Sequence, residues 1–341
     1  MKNLISIIVV NYNGKKWLKQ CLDSLLEQTY TSYEIIVVDN NSKDGSIEFL
    51  KKNYKKITLI ENDDNYGFAK GNNIGLKKAK GDYILLLNND TYVEKSFLKN
   101  FLKAFDEIPH LAIAQSKLVL MENKNILDTC GGFWTDTTFL YHVGNHKDKS
   151  LPQYNKSFPV FSVKAASVLI KRAVIEKIGL FDDDFWCYYE ETDFCQRAWL
   201  AGYECWYYPY VTTYHAMGGT SLTFGNDFVQ FHNFKNKMLS FLKNFEGFSL
   251  VTIIPIYLIM NIALSVVWLL QGNYKNAGSL YKAIFWNIGK LTNTLKKRKL
   301  VQEKRKVSDK DYLKMVKKNP RFSYFLALLT RNFENYVDSP L

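Results

Sequence analysis

The stretch GDYILLLNNDT, residues 81–91, decides the fold because it joins an apolar run to a polar cluster. The run at residues 84–87 is too short for a helix and too apolar for an exposed strand, so we expect a central strand covered on both faces. Asn88, Asn89 and Asp90 follow it directly. Open α/β sheets bind ligands beyond the carboxyl ends of their strands, and such oxygen ligands suit a divalent cation that holds a diphosphate. An ordinary strand-to-turn junction is the alternative reading.

Upstream of this stretch, apolar strands alternate with helical patterns. The β-branched runs at residues 4–10, 34–38 and 57–60 are each followed by a turn and then by a segment with helical spacing or capping residues. This alternation is typical of βαβ units. We therefore predict an α/β fold with a doubly wound, mostly parallel sheet and helices on both faces.

Polar residues also end the earlier strands. Asn11, Asp39 and Asn65 stand where three of the predicted strands finish. Because the carboxyl ends of parallel strands meet at one edge of the sheet, these side chains converge where a nucleotide could bind. Asp39 can accept a hydrogen bond from a base or a ribose hydroxyl, or it can cap the turn in which it lies.

A second cluster combines acids with aromatic residues. Glu190, Glu191 and Asp193 follow a run of Phe, Trp and Tyr at the start of a predicted helix. Apolar surroundings raise a carboxyl pKa, which suits a general base. The alternative is that these acids only stabilise the amino terminus of the helix.

His215 precedes a glycine-rich, hydroxyl-bearing stretch at residues 216–221. A neutral imidazole can complete the coordination of a metal, and the N–H groups of such a loop can reach diphosphate oxygens. A lone histidine is more often a structural hydrogen-bond donor, so the context of the other motifs decides between the two roles.

Four segments, in order, resemble the signatures of the family 2 glycosyltransferases with the GT-A fold, and most of all those of the rhamnosyltransferase-like branch. The resemblance covers residues 4–240. The segments are VVNYNG at residues 9–14, VDNNSKDGS at 38–46, NYGFA at 65–69 with Gly71 and Asn72, and LLNNDT at 86–91.

The resemblance implies a nucleotide-sugar site and a metal site. Asp39 would bind the nucleobase, and Asp90 and His215 would bind Mg²⁺ or Mn²⁺. The family's Asp-x-Asp motif has Asn88 at its first position here, so we expect the metal and the diphosphate of the donor to bind together. The remaining nucleotide-sugar contacts would come from Asn11, Asn13, Asn65, Gly67, Asn72, Asn88, Asn89 and Lys235, the last of which replaces a family arginine.

The family's Glu-Asp catalytic pair falls on Glu190 and Glu191. The resemblance therefore places the base on Glu191, with Glu190 in support. It implies an inverting glycosyltransferase whose donor is dTDP-L-rhamnose and whose acceptor is a polyprenyl-linked glycan. Hexosyl, N-acetylhexosaminyl or galactofuranosyl transfer is an alternative, as is a membrane-anchored protein that binds nucleotide sugars without catalysis.

The last hundred residues differ in composition from the rest. Residues 248–270 form a 23-residue apolar run, long enough to cross a bilayer, and residues 290–321 hold 13 Lys and Arg against 3 acidic residues. This pattern is typical of an anchor on an anionic membrane surface, and we favour in-plane or partly inserted helices over a true span. The alternative is packing on the catalytic core or on a second copy in a homodimer. We expect no nucleic-acid partner, because no phosphate-reading fold accompanies the basic block.

These features divide the chain into a glycosyltransferase domain at residues 1–240 and a helical membrane-associated region at 241–341. The five cysteines include no CxxC pair, and the sequence enters a strand directly with no secretory signal. We therefore expect a peripheral or monotopic protein on the cytoplasmic face of the inner membrane.

Overall fold

The structure, a computed structural model, describes residues 3–217, 224–330, 333 and 336–339. The predicted diphosphate loop at residues 218–221 lies outside this part of the chain. The strands are β1 Ile5–Asn11, β2 Tyr33–Asp39, β3 Thr58–Glu61, β4 Tyr83–Leu87, β5 Thr91–Val93, β6 Leu111–Leu120, β7 Leu127–Thr129, β8 Gly132–Phe133, β9 Tyr141–His142, β10 Phe158–Pro159, β11 Ser167–Lys171 and β12 Glu204–His215. The helices are α1 Lys15–Leu26, α2 Ser46–Asn53, α3 Gly67–Leu76, α4 Phe97–Glu107, α5 Arg172–Ile178, α6 Glu190–Leu200, α7 Asn226–Asn244, α8 Gly247–Leu270, α9 Tyr274–Gly289, α10 Leu291–Glu303, α11 Asp309–Val316 and α12 Phe322–Thr330.

The main sheet has the strand order β10-β12-β6-β11-β4-β1-β2-β3. β1 is parallel to β2 and β4, and β3 is parallel to β2. β11 runs antiparallel between β4 and β6, and β12 is parallel to β6. The prediction of a doubly wound, mostly parallel α/β sheet is therefore confirmed.

The apolar run of β4 explains why the sheet is covered on both faces. Successive side chains of a strand point to opposite faces. Ile84 and Leu86 belong to one apolar core, while Leu85 and Leu87 belong to the other. All four side chains are at most 2% exposed. The polar residues that follow are thereby fixed at the edge of the sheet.

The C-terminal helices are joined closely to the sheet domain. The predicted division at residue 240 falls inside α7, which continues to Asn244. Lys297 of α10 forms ion pairs with Asp182 and Asp184, and Gln196 of α6 donates a hydrogen bond to the hydroxyl of Tyr312 at 3.0 Å. Among the described residues, α8 is the one helix long and apolar enough to cross a membrane.

Gly81, just before β4, tests how tightly the strand ends are packed. A Cβ atom there would lie 2.5 Å from the backbone nitrogen of Ser6, whereas a Cβ at Gly278 of α9 would meet no atom within 4 Å. We expect Gly81→Ala to lower the free energy of unfolding by about 1–3 kcal/mol, because backbone must move. The control Gly278→Ala should be neutral or stabilising by up to about 1 kcal/mol. Equal denaturation midpoints for the two variants would contradict this packing.

Candidate active site

Asp90 and His215 lie side by side at the carboxyl edge of the sheet. The antiparallel pairing of β5 with β12 sets Thr91 opposite His215, and the backbone N–H of Ala216 donates to the carbonyl of Asp90 at 3.0 Å. One carboxylate oxygen of Asp90 is 3.3 Å from Nε2 of His215. The register of the short strand β5 on the end of the long strand β12 thus brings together two residues that are far apart in sequence.

Asp128, on β7, holds His215 from behind. Its carboxylate contacts Nδ1 of His215 at 2.8 Å and the ammonium of Lys164 at 2.6 Å. Burial disfavours the charged form of His215, but the carboxylates of Asp128 and Asp90 outweigh it and raise its pKa to about 9. Burial opposes the ionisation of Asp128 as well, but Lys164 and His215 hold its pKa below the ordinary range.

This arrangement fits one side of a divalent metal site. Adjacent ligands of an octahedral Mg²⁺ or Mn²⁺ lie about 3 Å apart, close to the separation of the Asp90 oxygen and the His215 nitrogen. Histidines that bind metals typically have a carboxylate on their second ring nitrogen, which is the place of Asp128. The described residues contain no group of three or more His, Cys, Asp or Glu side chains that could hold a metal. A metal here would therefore need further ligands from a substrate or water.

A buried hydrogen-bond network forms the floor of the site. Asn89 donates to Asn11 at 2.7 Å, and Asn11 donates to Asp39 at 2.7 Å. Asp39 also accepts hydrogen bonds from the backbone N–H and the hydroxyl of Ser42, each at 2.8 Å. Asn11 and Asp39 are fully buried, so in this conformation they shape the pocket from below instead of lining it. Asp39 takes the turn-capping role that the sequence left open.

Other predicted binding residues are divided between the cavity and its support. Asn65, Gly67 and Asn88 line the cavity. Asn13 is exposed and accepts a hydrogen bond from the backbone of Lys43 at 2.7 Å. Asn72 is buried within α3, where it donates to the carbonyl of Phe68 at 2.9 Å.

Lys235 differs most from its expected place. Its ammonium group donates to the carbonyl of Asp184 at 2.6 Å and lies over the ring of Trp286 at 4.7 Å from the centroid. Burial lowers its pKa to about 8. Lys235 is not among the described residues that line the cavity, and its contact with the donor stays a prediction. In this structure its ammonium group supports the loop that leads to α6.

The loop at residues 184–189 has unusual backbone geometry. Trp186, Tyr188 and Tyr189 have φ angles of 63°, 68° and 71°, in the left-handed region that bulky residues avoid. Asn236 of α7 holds this loop, because its side-chain amide donates to three carbonyls. Those acceptors are Phe185 at 3.0 Å, Cys187 at 2.8 Å and Tyr188 at 2.7 Å.

The other side of the loop rests on α3. The backbone N–H of Ala69 donates to the carbonyl of Trp186 at 3.0 Å. Gly67 has a φ of 74°, and a Cβ atom there would lie 2.5 Å from the same carbonyl, so glycine is required for this close approach. The loop is thus held between α3 and α7, and α6 starts directly after it with Glu190 and Glu191.

Glu190 is buried, and Glu191 beside it is partly buried. One carboxyl oxygen of each has no hydrogen-bond partner among the described residues. Burial and the neighbouring Glu191 raise the pKa of Glu190 well above its ordinary value, and burial raises the pKa of Glu191. A carboxyl group in this condition can hold or accept a proton near neutral pH. Asp193, the third acid of the cluster, instead pairs with Arg197 at 2.9 Å.

The pair Asp90–His215 and the pair Glu190–Glu191 line the same cavity of about 570 Å³. Lys164 is the one Lys or Arg among the described residues that line it. Trp186, Tyr188 and Phe224 add aromatic surface to one wall. The cavity therefore holds the Asp90–His215 pair, a pair of glutamate carboxyls and a lysine ammonium within one space.

The sequence did not single out Asp128, Lys164 or Asn236. Asp128 lies on a three-residue strand, and its contact partner His215 is 87 residues away in the sequence. Lys164 precedes a small-residue pair in the cavity wall, and Asn236 looks like a polar residue on a helix. The signal for Asp128 was a carboxylate within an otherwise apolar, glycine-ended segment at residues 126–132.

The model of Glycosyl transferase family 2 matches residues 6–179, just over half of the 341 residues. The chain belongs to glycosyl transferase family 2. This confirms the family predicted from the four sequence motifs, while the rhamnosyltransferase-like branch within it stays a prediction.

Relatives of this family 2 chain carry the same description. Glycosyltransferase GlyG of Streptococcus pneumoniae is 32% identical over 111 residues, which cover 31% of this chain and 36% of GlyG. An uncharacterised glycosyltransferase of Rickettsia typhi is 31% identical over 185 residues, which cover 53% of this chain and 54% of the relative. The chain thus spans between about a third and about half of the length of these curated relatives.

Solved structures with a similar fold are also glycosyltransferases. The mannosyltransferase of Pyrobaculum calidifontis in complex with GDP-Man and Mn²⁺ has a TM-score of 0.52 at 14% identity, over 97% of this chain and 88% of that protein. TarS 1–349 of S. aureus in complex with UDP-GlcNAc has a TM-score of 0.56 at 18% identity, over 82% of this chain and 79% of that protein. At these identities the likeness concerns the fold, which is the predicted GT-A fold.

The hold of Asn236 on the loop can be tested by truncation. Asn236→Ala removes the side-chain donor of three loop carbonyls, of which that of Phe185 keeps the backbone N–H of Cys187, so we expect the free energy of unfolding to fall by about 2–4 kcal/mol. Asn233→Ala is the matched control, because that amide donates only to Val229 of its own helix at 3.0 Å and should change stability by about 0.5 kcal/mol or less. Similar losses for both variants in urea denaturation would contradict the role of Asn236.

The raised pKa of Glu190 predicts a dependence of stability on pH. Above pH 4.5, the ordinary pKa of a glutamate, the unfolded chain has released the proton of Glu190, whereas the native state still holds it. The free energy of unfolding therefore falls as the pH rises from 4.5 to the higher pKa of Glu190 in the native state. Glu190→Gln removes this linkage, and its melting temperature should decline less between pH 5 and pH 8 than that of the wild type. The exposed control Glu303→Gln should keep the wild-type slope. A variant slope identical to wild type would contradict the buried, protonated Glu190.

Proposed function

We propose that this protein is an inverting, metal-dependent glycosyltransferase that moves a sugar from a nucleoside-diphosphate sugar to a hydroxyl group. The main support is that the Asp90–His215 pair and the Glu190–Glu191 pair line the same cavity. Sugar transfer requires both functions, because the leaving diphosphate needs charge neutralisation and the attacking hydroxyl needs a proton acceptor. Family 2 membership supports the same reaction class.

Asp90 and His215 would hold Mg²⁺ or Mn²⁺ together with the diphosphate of the donor. The bound cation would neutralise the negative charge that develops on the leaving group. The Mn²⁺ of the Pyrobaculum calidifontis mannosyltransferase complex supports a divalent cation in this fold. Because Asn88 replaces a second carboxylate, the diphosphate supplies the missing negative ligands, and the ammonium of Lys164 adds a fixed positive charge in the same cavity.

Glu191 would act as the base. It accepts the proton of the acceptor hydroxyl while the oxygen attacks the anomeric carbon on the face opposite the diphosphate. A single displacement of this kind inverts the anomeric configuration. Glu190 lies beside it, and burial together with the charge of Glu191 raises the pKa of Glu190.

The donor that we propose first is dTDP-L-rhamnose, on the strength of the motif resemblance. Asn65 and Gly67 line the cavity and would contact the donor. Asp39 and Asn11 lie buried beneath the cavity and would support it through their hydrogen-bond network. Hexosyl, N-acetylhexosaminyl and galactofuranosyl donors are the alternatives. The UDP-GlcNAc bound to TarS and the GDP-Man bound to the mannosyltransferase make these two nucleotide sugars necessary members of any donor screen.

We further propose a polyprenyl-linked glycan as acceptor and the cytoplasmic face of the inner membrane as the location. The exposed apolar helix α8 and the basic residues 290–321 support this proposal. A membrane-attached enzyme is confined to the surface that holds a lipid-linked substrate, which raises the encounter rate without new contacts in the cleft.

Replacement of the base is the first test. We expect Glu191→Gln to lower kcat by about 10²–10⁴ and to leave the donor KM within about threefold, because the amide cannot accept the proton. The exposed control Glu176→Gln of α5 should keep wild-type kcat. Turnover is measured as nucleoside diphosphate released from dTDP-L-rhamnose, UDP-GlcNAc and GDP-Man with Mg²⁺ or Mn²⁺. Donor binding without turnover by the wild type on the whole panel would favour the non-catalytic binding protein.

Replacement of the metal ligand should have a different signature. We expect Asp90→Asn to raise the Mn²⁺ concentration for half-maximal activity at least tenfold, since a neutral amide binds the cation more weakly than a carboxylate. In the wild type, removal of the divalent cation with a chelator should abolish turnover and weaken donor binding together. Full activity in excess chelator would contradict the metal-dependent mechanism.

A further inference from the structure

The polarity of α8 is inverted relative to a helix on the surface of a soluble protein. Its buried positions are Tyr257, Asn261 and Ser265, which follow each other at intervals of four residues. Most of its exposed positions are apolar, and the large residues Phe248 and Leu270 are 89% and 85% exposed. A surface helix in water normally turns its apolar stripe inward and its polar stripe outward.

Two residues of the inward stripe of α8 contact neighbouring helices. The hydroxyl of Tyr257 donates to the carbonyl of Phe234 in α7 at 2.8 Å, and the hydroxyl of Ser265 lies 3.3 Å from that of Tyr281 in α9. Asn261 donates to the carbonyl of Tyr257 at 2.6 Å. The helix is thus attached along its length to two neighbours, and its apolar side faces outward.

α9 repeats the pattern of α8. Its buried face includes the small or polar residues Ala277, Ala283 and Asn287, and Asn287 donates to the carbonyl of Lys235 at 3.1 Å. Phe285, on its outer side, is 70% exposed. Small residues at contacts between helices, with large apolar residues outside, are typical of helices whose outer surroundings are lipid.

A basic surface adjoins these helices. Lys290, Lys296 and Lys299 are exposed at the start of and along α10. Other cations of the basic block are used inside the protein, as Lys297 is paired with Asp182 and Asp184. The exposed lysines therefore remain as a positive border beside the apolar surface, and this charge is complementary to anionic lipid headgroups.

We propose that the outer faces of α8 and α9 lie in the plane of an anionic lipid bilayer, at the headgroup boundary, without crossing it. A span by α8 would carry its neighbour α9 into the hydrocarbon, together with the exposed Lys275 and Lys282. The in-plane position leaves these lysines at the interface. The in-plane position rests on the proposed function in one respect, because it would hold the enzyme at the surface that carries the proposed lipid-linked acceptor. Binding to lipid is nevertheless measured without turnover.

Vesicle flotation of the full chain tests the docking surface. The wild type should float with vesicles of phosphatidylcholine and phosphatidylglycerol, and at least tenfold less with phosphatidylcholine alone. The triple variant Phe248→Ser, Leu270→Ser and Phe285→Ser should lose at least tenfold in binding while keeping its melting temperature and its turnover of soluble donor, because these side chains touch solvent. The control Leu26→Ser, at the end of α1, should float as the wild type does.

The outcomes separate this inference from the proposed function. Loss of flotation with turnover intact supports the docking surface, and absence of turnover in the wild type affects only the proposed function. Wild-type flotation by the triple variant overturns the inference. The inference is also overturned if the wild type does not bind anionic vesicles but forms dimers in light scattering and the triple variant does not. The surface would then bind a second copy of the chain.

Cysteine labelling distinguishes an in-plane helix from a span. Ser249→Cys and Gln271→Cys place thiols near the two ends of α8, and the protein is added to the outside of sealed anionic vesicles. An impermeant maleimide should label both positions within a factor of two of each other in the bound protein. Protection of one end until the vesicles are opened with detergent would show a span and overturn the in-plane arrangement.

Discussion

The hold of Asn236 on the loop at residues 184–189 is the interaction on which the candidate site depends. Three residues of that loop adopt left-handed backbone angles that cost free energy, and one side-chain amide with three carbonyl acceptors compensates for them. The loop ends where α6 begins, so its conformation sets the direction of Glu190 and Glu191. The opposite edge of the cavity is fixed separately, by the pairing of β5 with β12 beside Asp90.

Helix α7, which contains Asn236, also binds the C-terminal helices α8 and α9. Tyr257 of α8 and Asn287 of α9 both donate to carbonyls of α7, and Lys297 of α10 pairs with Asp182, before the loop, and with Asp184, its first residue. The C-terminal helices are thus attached to α7, which supports the loop before Glu190 and Glu191. Part of the positive charge in that region, such as Lys297 and Arg305, is used in ion pairs within the protein, and most of the rest is exposed at the surface.

The sequence predicted the sheet and the edge where the site lies, because alternating strands and helices leave little choice of topology and polar strand ends then converge. It could not predict which of those polar residues face the ligand. Asn11 and Asp39 hydrogen-bond to each other beneath the cavity, and Lys235 supports a loop, because side-chain partners across 28 and 51 residues arise only in the folded chain. Asp128 was missed for the same reason, since β7 has three residues and no period to read.

The proposed mechanism requires Asp90 and Glu191 to face one donor-binding cavity. Its most direct test is a crystal of the protein grown with Mn²⁺ and the nucleoside diphosphate that most raises the melting temperature, with diffraction measured at the manganese absorption edge. We predict one anomalous peak within about 2.0–2.3 Å of a carboxylate oxygen of Asp90 and of Nε2 of His215. The diphosphate should lie beside this peak, and Glu191 should lie across the cavity from it. A peak away from Asp90, or a Glu191 carboxyl turned out of the cavity that holds the diphosphate, would contradict it.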